Sequence, residues 1–250
     1  MKKHFFLILC LTLPGFLISN AQELRTDTAH MTKVKNGWAT EKFGSFDVMG
    51  NYINSEKDGN WTTYFPTGML NKLETYKRGV KDGIFLEVDN RGYLKSIETY
   101  KDGKLNGISR YWERSNTMSW EKNYKNDQLD GVSKLFYDDG KIQEEGWYNE
   151  GKRDSTSEWY DKDGKKVAEY SYKMGAMNGI CRAFYKNGNV KKEEVYKDGI
   201  KSGPYKEYFE NGKIMEDGSY LDDQKAGLWR DYDTTGTVIK KENYKIPKTK

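Results

Sequence analysis

The six residues YDDGKI, Tyr137 to Ile142, place two turn-favouring acids and a glycine between β-favouring neighbours. That order is a hairpin signal. A three-residue loop closing on a left-handed glycine pairs Tyr137 with Lys141 and Phe136 with Ile142, so the apolar residues flanking the loop share a face. A two-residue loop would send Phe136 and Ile142 to opposite faces, and the bulged loop is therefore the expected one.

This hairpin is one of a series. Glycine, or serine once, returns every 24 residues at Gly59, Gly83, Gly107, Gly131, Ser155, Gly179, Gly203 and Gly227 without insertion or deletion. A fixed period of this size marks a chain of like supersecondary units, each stabilised chiefly by its neighbours. Counting offsets from the leading glycine, offset 9 is glycine in seven units (Gly68, Gly92, Gly140, Gly164, Gly188, Gly212, Gly236) and Asn116 in the other, the replacement expected in a left-handed conformation. Offset 17 is tyrosine in every unit, from Tyr76 to Tyr244, offset 5 is aromatic or Val88, and offset 11 is aliphatic or Met except at Lys166. With the bulged loop, the period of two puts offsets 1, 5, 11 and 17 on one face.

The opposite face shows an exchange of bulk. Where offset 2 is aromatic (Trp61, Phe85, Tyr205, Trp229), offset 4 is Thr63, Glu87, Glu207 or Asp231; where offset 2 is Ser109, Ser133 or Ser157, offset 4 is Tyr111, Leu135 or Trp159. These positions are next neighbours on one strand face, so one large group per unit covers it. Cys181 and Ala183 leave the sixth unit thinner, and a packing role is expected for the cysteine.

Each unit needs a second reversal, seen in YKDGKLNG, Tyr100 to Gly107. Two reversals per unit predict an all-β fold: an elongated antiparallel meander of about eight 24-residue β-hairpin repeats, about sixteen strands, with no 3.6-residue stripe long enough for a helix after the N-terminal segment. Residues 35–58 fit the register loosely, with Gly44, Phe46 and Tyr52 at offsets 9, 11 and 17, and read as a degenerate capping repeat. The expected organisation is a signal peptide over 1–21, a flexible leader over 22–34, the capping repeat, the array over 59–246 and a tail over 247–250.

The signal reading rests on Lys2 and Lys3, apolar Phe5 to Ile18, and small-residue Ser19-Asn20-Ala21 before Gln22. Pro14 and Gly15 interrupt a stretch already shorter than the roughly 20 residues of a bilayer span. The expected location is periplasmic, cell-envelope or secreted, with no transmembrane segment after cleavage. Cleavage removes two lysines and leaves 40 basic against 38 acidic residues, a balance that gives nucleic acid no support as a partner. Cys181 is then the sole cysteine, which excludes an intramolecular disulfide framework.

The recurring string Y-K-x-G-x-x-x-G-x-aromatic-x-x-aromatic, as in YKRGVKDGIF (Tyr76 to Phe85) and YKDGIKSGPYKEY (Tyr196 to Tyr208), resembles the variant class of MORN repeats over residues 59–245. Relative to the standard class, the second glycine of the G-x-G pair is replaced by Trp61, Phe85, Tyr205, Trp229 or a small residue, and the units gain a hairpin that is N-G or D-G at Asp139-Gly140, Asp163-Gly164, Asn187-Gly188 and Asn211-Gly212. The resemblance implies a β-hairpin array with a scaffold or binding role. Many members carry a provisional label as antitoxin components, and the standard class is associated with membrane phospholipids and partner proteins.

Catalytic material is scarce. The only histidine past the signal is His30, which leaves Ser-His-Asp and Cys-His chemistry without parts and a His/Cys metal cage without ligands; no cofactor is expected. Asp161-Lys162-Asp163-Gly164 opens like a calcium loop, yet Tyr172 stands where the bidentate glutamate belongs, so it reads as a turn. Glu144-Glu145 and Glu193-Glu194 are adjacent in strands and point to opposite faces, so neither is a carboxylate dyad. Offset 3 supplies Arg110, Lys134, Arg182, Lys206 and Arg230, interleaved with the offset 5 aromatics Trp112, Phe136, Tyr160, Phe184 and Tyr208. Such a stripe can bind an anionic polymer or protein by charge and stacking; its alternative use is cross-strand pairing with Glu121, Glu145, Glu193 and Asp217. The expected function is an exported, non-enzymatic scaffold binding a protein or anionic envelope polymer along its sheet. The runner-up is an antitoxin or immunity-type protein, and the third reading is a glycan hydrolase built on strand carboxylates.

Overall fold

The computed structural model describes residues 36–114 and 117–247. The expected signal peptide and leader, His30 and Asn116 lie outside the described residues, as do 248–250 of the tail. Among the described residues twenty strands form one antiparallel sheet in which each long strand pairs with the long strands before and after it in the chain. Eight units contribute two strands each, the hairpin Gly37–Phe43 and Phe46–Ile53 adds two, and the short pieces Lys104–Leu105 and Ala176–Met177 precede the main strands of two units. Among the described residues nothing else packs on either side, so the sheet is one layer deep.

Within a unit, Gly131 pairs with Tyr148, Ser133 with Gly146, Lys134 with Glu145 and Phe136 with Ile142. The loop is the bulged one: the Tyr137 N–H donates to the Lys141 carbonyl at 2.8 Å, and Gly140 is left-handed at φ +84°. A second bulge corrects the facial assignment. Gln143 is extra between the Leu135–Glu144 and Phe136–Ile142 pairs, so parity changes at offset 12. Offset 11 stays with offset 5, but offset 17 lies across from offset 0 and shares the face of offsets 2 and 4. The tyrosines and the offset 5 aromatics therefore occupy opposite faces, here called the tyrosine face and the ladder face.

The second reversal is a two-residue turn with both central residues left-handed, as at Asp102 (φ +50°) and Gly103 (φ +83°) between paired Lys101 and Lys104. The leading glycine has a different reason. In the pairing of adjacent units, residues 130–132 oppose the single residue Asn123. All eight leading residues sit at positive φ, Ser155 included at +65°. In the inner units the space is also closed: a Cβ on Gly83 or Gly203 would lie 2.9 Å from the Cβ of Thr75 or Val195 at offset 16, whereas Gly59 and Gly227 have open space around them. The offset 16 side chain bonds the carbonyl that the bulge turns out, with Thr75 Oγ1 donating to Ile84 O at 3.0 Å, Asn123 Nδ2 to Val132 O at 2.7 Å and Ser171 Oγ to Ile180 O at 2.9 Å. The first hairpin lacks this geometry: Phe43 pairs with Phe46 across a two-residue loop with no bulge.

Offset 2 is the core, and all eight of its residues are buried, from Trp61 to Trp229. Offset 17 tyrosines stand edge-on between them, with ring centroids 5.4 Å apart for Tyr76–Phe85, 4.8 Å for Phe85–Tyr100 and 5.1 Å for Tyr220–Trp229. Where offset 2 is serine, the bulk does move to offset 4: Tyr111 stacks on Trp120 and Trp159 packs against Tyr170 at 4.9 Å. Each tryptophan at offset 2 also needs a glycine at offset 15 of the preceding unit. An ideal Cβ on Gly50 or Gly218 would fall 2.2 Å from the ring of Trp61 or Trp229. Cys181 is buried, and burial pushes its thiol pKa up.

Gly218→Ala, at ordinary φ, should cost about 3 kcal/mol through overpacking against Trp229. Gly236→Ala, at φ +96° with open space around it, should cost about 1–2 kcal/mol through the backbone alone. Thermal unfolding of the two variants checks this, and equal losses would remove the glycine seat as the reason for Gly218.

Candidate functional site

On the ladder face, offset 3 pairs with offset 14 and the cations meet acids. Arg110 Nε lies 2.6 Å from Glu121, Lys134 3.3 Å from Glu145, and Arg230 Nη2 2.7 Å from Asp217. Arg182 bridges Glu193 at 2.8 Å and Glu169 at 3.0 Å. Lys206 stands across from Glu193 on one side and Asp217 on the other. Lys166, the exception at offset 11, bridges Glu158 and Glu169, so one chain of alternating charge runs from Glu158 to Glu193.

The offset 5 aromatics are half-buried beside this band. Tyr208 donates to Glu193 at 3.0 Å and Tyr160 to Glu158. Burial and those carboxylates push both phenols up to about 12. Trp112, Phe136 and Phe184 continue the row without hydroxyls. The Arg182 guanidinium holds the Glu193 carboxyl below its ordinary value against the opposing effect of burial. The structure thus brings the ten sequence-derived residues onto one face and ties Arg110, Lys134, Arg182 and Arg230 into cross-strand pairs.

A second set of cations, on the tyrosine face, is absent from the sequence reading. Two residues before the leading glycine stand Lys57, Lys81, Arg153, Lys201 and Lys225. Each lies over aromatic rings of its own unit: Lys81 is 4.8 Å from the Phe85 centroid and 4.5 Å from that of Tyr100, and Lys225 is 3.7 Å from that of Trp229. Acids complete three of these boxes, with Lys225 2.7 Å from Glu216, Lys201 2.8 Å from Glu194, and Arg153 paired with Glu144. Where this position is Leu105 or Leu129, Lys122 supplies the cation from a different seat, 4.5 Å from Trp120, and burial pushes its pKa down. A count of basic residues two before the glycine would have found the set. What hid it was the assignment of offset 17 to the other face.

The paired glutamates divide between faces. Glu144 goes to Arg153 and Glu145 to Lys134; Glu193 goes to Arg182 and Glu194 to Lys201. Asp161 Oδ1 accepts the backbone N–H groups of Asp163 and Lys165, each at 2.9 Å, which closes the turn.

Residues 57–78, 129–152, 153–174, 177–198, 201–222 and 225–245 match the family model of the MORN repeat variant. The units led by Gly83 and Gly107 fall outside those matches yet keep the same pairing, Gly83 with Tyr100 and Gly107 with Tyr124. Comparison with curated proteins gives no match. MORN repeats point to a scaffold and protein-binding role, and all-β scaffolds of this kind are typically non-catalytic.

Glu193 has a lowered folded pKa, so its pairing stabilises the fold above the unfolded value near 4.5 and is lost as pH falls through the folded value. Arg182→Gln should cost about 1 kcal/mol at pH 7, with the difference from the parent vanishing in strong acid. Urea midpoints across pH check the sign; a loss that grows on acidification would contradict it.

Proposed function

For a chain that belongs to the MORN repeat variant family, we propose an exported, non-enzymatic scaffold that holds a partner protein along its ladder face. The supporting observation is the single-layer sheet, which leaves the same rows of side chains half-exposed in unit after unit. Export is read from the basic, apolar and small-residue segments before Gln22. A protein suits this face better than an anionic envelope polymer, because acids already answer the offset 3 cations. The immunity-type reading is the special case in which the partner is a toxin; the family resemblance supports it, and a toxin encoded beside this chain would favour it. The hydrolase reading loses ground because Glu144, Glu145, Glu193 and Glu194 are each held by a cation.

Affinity capture from native extract, with the chain starting at Gln22 as bait, should retain a specific protein. Retention of polysaccharide alone would overturn the protein-scaffold reading. Intact mass from the native host should begin near Gln22, and a full-length cytoplasmic product as the sole species would defeat export. Glutamine at Arg110, Lys134, Arg182, Lys206 and Arg230 together should lower stability more than it lowers partner affinity; the reverse order would restore these residues as direct anion ligands.

A further inference from the structure

We propose that a strip of the ladder face beside the two-residue turns, formed by the offset 1 side chains, Trp147 and the offset 18 lysines, docks an extended acidic segment of a partner protein. This rests on the scaffold reading and specifies its surface.

Four of the eight offset 1 side chains are large, apolar and exposed to solvent. Ile84 is 50% exposed, Ile108 40%, Ile180 42% and Leu228 50%. The fold uses the carbonyls of Ile84, Ile108 and Ile180, which accept hydrogen bonds from offset 16. Trp147 occupies offset 16 in the central unit and is 49% exposed. It replaces a small bonding side chain, makes no such bond, and gains little burial in exchange. It pairs with Val132 in its own hairpin and on the other side opposes the bulge residues 154–156, among them Ser155, the single leading position with a side chain. A local rule broken with no structural return marks a position held for contact with something else.

Two residues along the same strands, and so on the same face, offset 18 carries Lys77, Lys101, Lys125, Lys173 and Lys197. All five are exposed and, among the described residues, form no ion pair, in contrast to Arg110, Lys134, Arg182 and Arg230. Acids in the same turns are engaged by backbone: Asp58 accepts from Arg78 N at 2.9 Å, Asp154 from Met174 N at 3.0 Å and Asp127 from Leu105 N at 2.7 Å. An apolar row flanked by unanswered lysines is complemented by a chain that alternates apolar and acidic residues.

Spacing selects the conformation of that chain. One unit spans two strands, about 9.6 Å. A polyproline II helix advances about 9.3 Å per three-residue turn and presents every third residue to one side. Seven residues of α-helix advance about 10.5 Å, so over four units the helix drifts roughly 3.6 Å out of step while the extended helix drifts roughly 1.2 Å. A flat anionic membrane suits the strip less well, since sheet twist carries successive rows out of one plane.

The test uses the whole chain and labelled peptides of repeated Leu-Glu-Pro, with Leu-Lys-Pro and Gly-Glu-Pro repeats and phosphatidylglycerol vesicles alongside. The Leu-Glu-Pro peptide should bind, and the other two should not. Trp147→Thr, which restores an offset 16 hydroxyl and should fold at least as well by thermal melt, should weaken binding on the order of tenfold. Replacing the five lysines by glutamine should weaken it and flatten its salt dependence. Binding indifferent to Trp147→Thr, equal binding of the lysine peptide, or tighter lysine-dependent binding of vesicles would each overturn the proposal. A captured native partner whose affinity survives both variants would overturn this strip and leave the scaffold reading intact. A parent chain that retains neither peptide nor protein partner would overturn both.

Discussion

The sheet depends on the bulge at the start of each unit. In the six inner units three residues there oppose one and the middle residue is left-handed, with Gly83, Gly107, Gly131, Gly179 and Gly203 lying against the side chain at offset 16; in the units led by Gly59 and Gly227 the left-handed glycine is the first of the three, opposite Gly50 and Gly218. Bulges raise local twist and re-aim side chains, so repeating one at constant spacing repeats the same bend and the same re-aiming. The second bulge, at offset 12, decides which rows share a face. Between them the two bulges separate the tyrosines from the offset 5 aromatics and give the sheet two unlike faces. The 24-residue period is therefore a geometric requirement: an inserted residue between bulges would flip every side chain downstream to the wrong face.

A sheet one layer deep has no second layer to bury its side chains against, and lateral contact takes the place of a core. Each buried offset 2 residue is covered by tyrosines of its own unit and the one before, and long cationic side chains close over the rings. The cations work as lids because their aliphatic stems cover apolar surface while the charged ends meet π faces and carboxylates. This accounts for a chain that is 32% charged and 14% aromatic without a thick aliphatic interior. It also places most of the stabilisation between nearest neighbours, as expected for a quasi-one-dimensional array.

Much of this was legible in the residues. YDDGKI reads as the three-residue bulged hairpin that the structure shows, the period sets the unit count, and the exchange between offsets 2 and 4 marks a shared face. The face of Tyr148 differs from the expected one because Gln143, the bulged residue, looks like any polar strand position. Bulges at such sites arise from pairing geometry, which one strand's sequence does not carry. The cationic lids are hidden for the same reason: Lys81 and Lys225 cover tyrosines whose face depends on that bulge. The offset 3 stripe was found, residue for residue, and its alternative use in cross-strand pairs is what the distances describe at Arg110, Lys134, Arg182 and Arg230.

These pairings bear on how such a sheet can present a surface. A row of cations answered by acids on the neighbouring strand offers little net field, since surface pairs largely cancel at the distance of a Debye length. What remains distinctive along the ladder face is whatever the fold leaves unanswered. The exposed isoleucines, Trp147 and the offset 18 lysines belong to that remainder, and they lie in the bulge, opposite it and on its turn side. There the backbone's own needs are already met by offset 16 hydroxyls and amides and by aspartates of the turns. Side chains at these positions are consequently released from structural duty. A repeat scaffold can vary them unit by unit without disturbing the bulge that sets its period, which places specificity on the turn side and constancy on the tyrosine face.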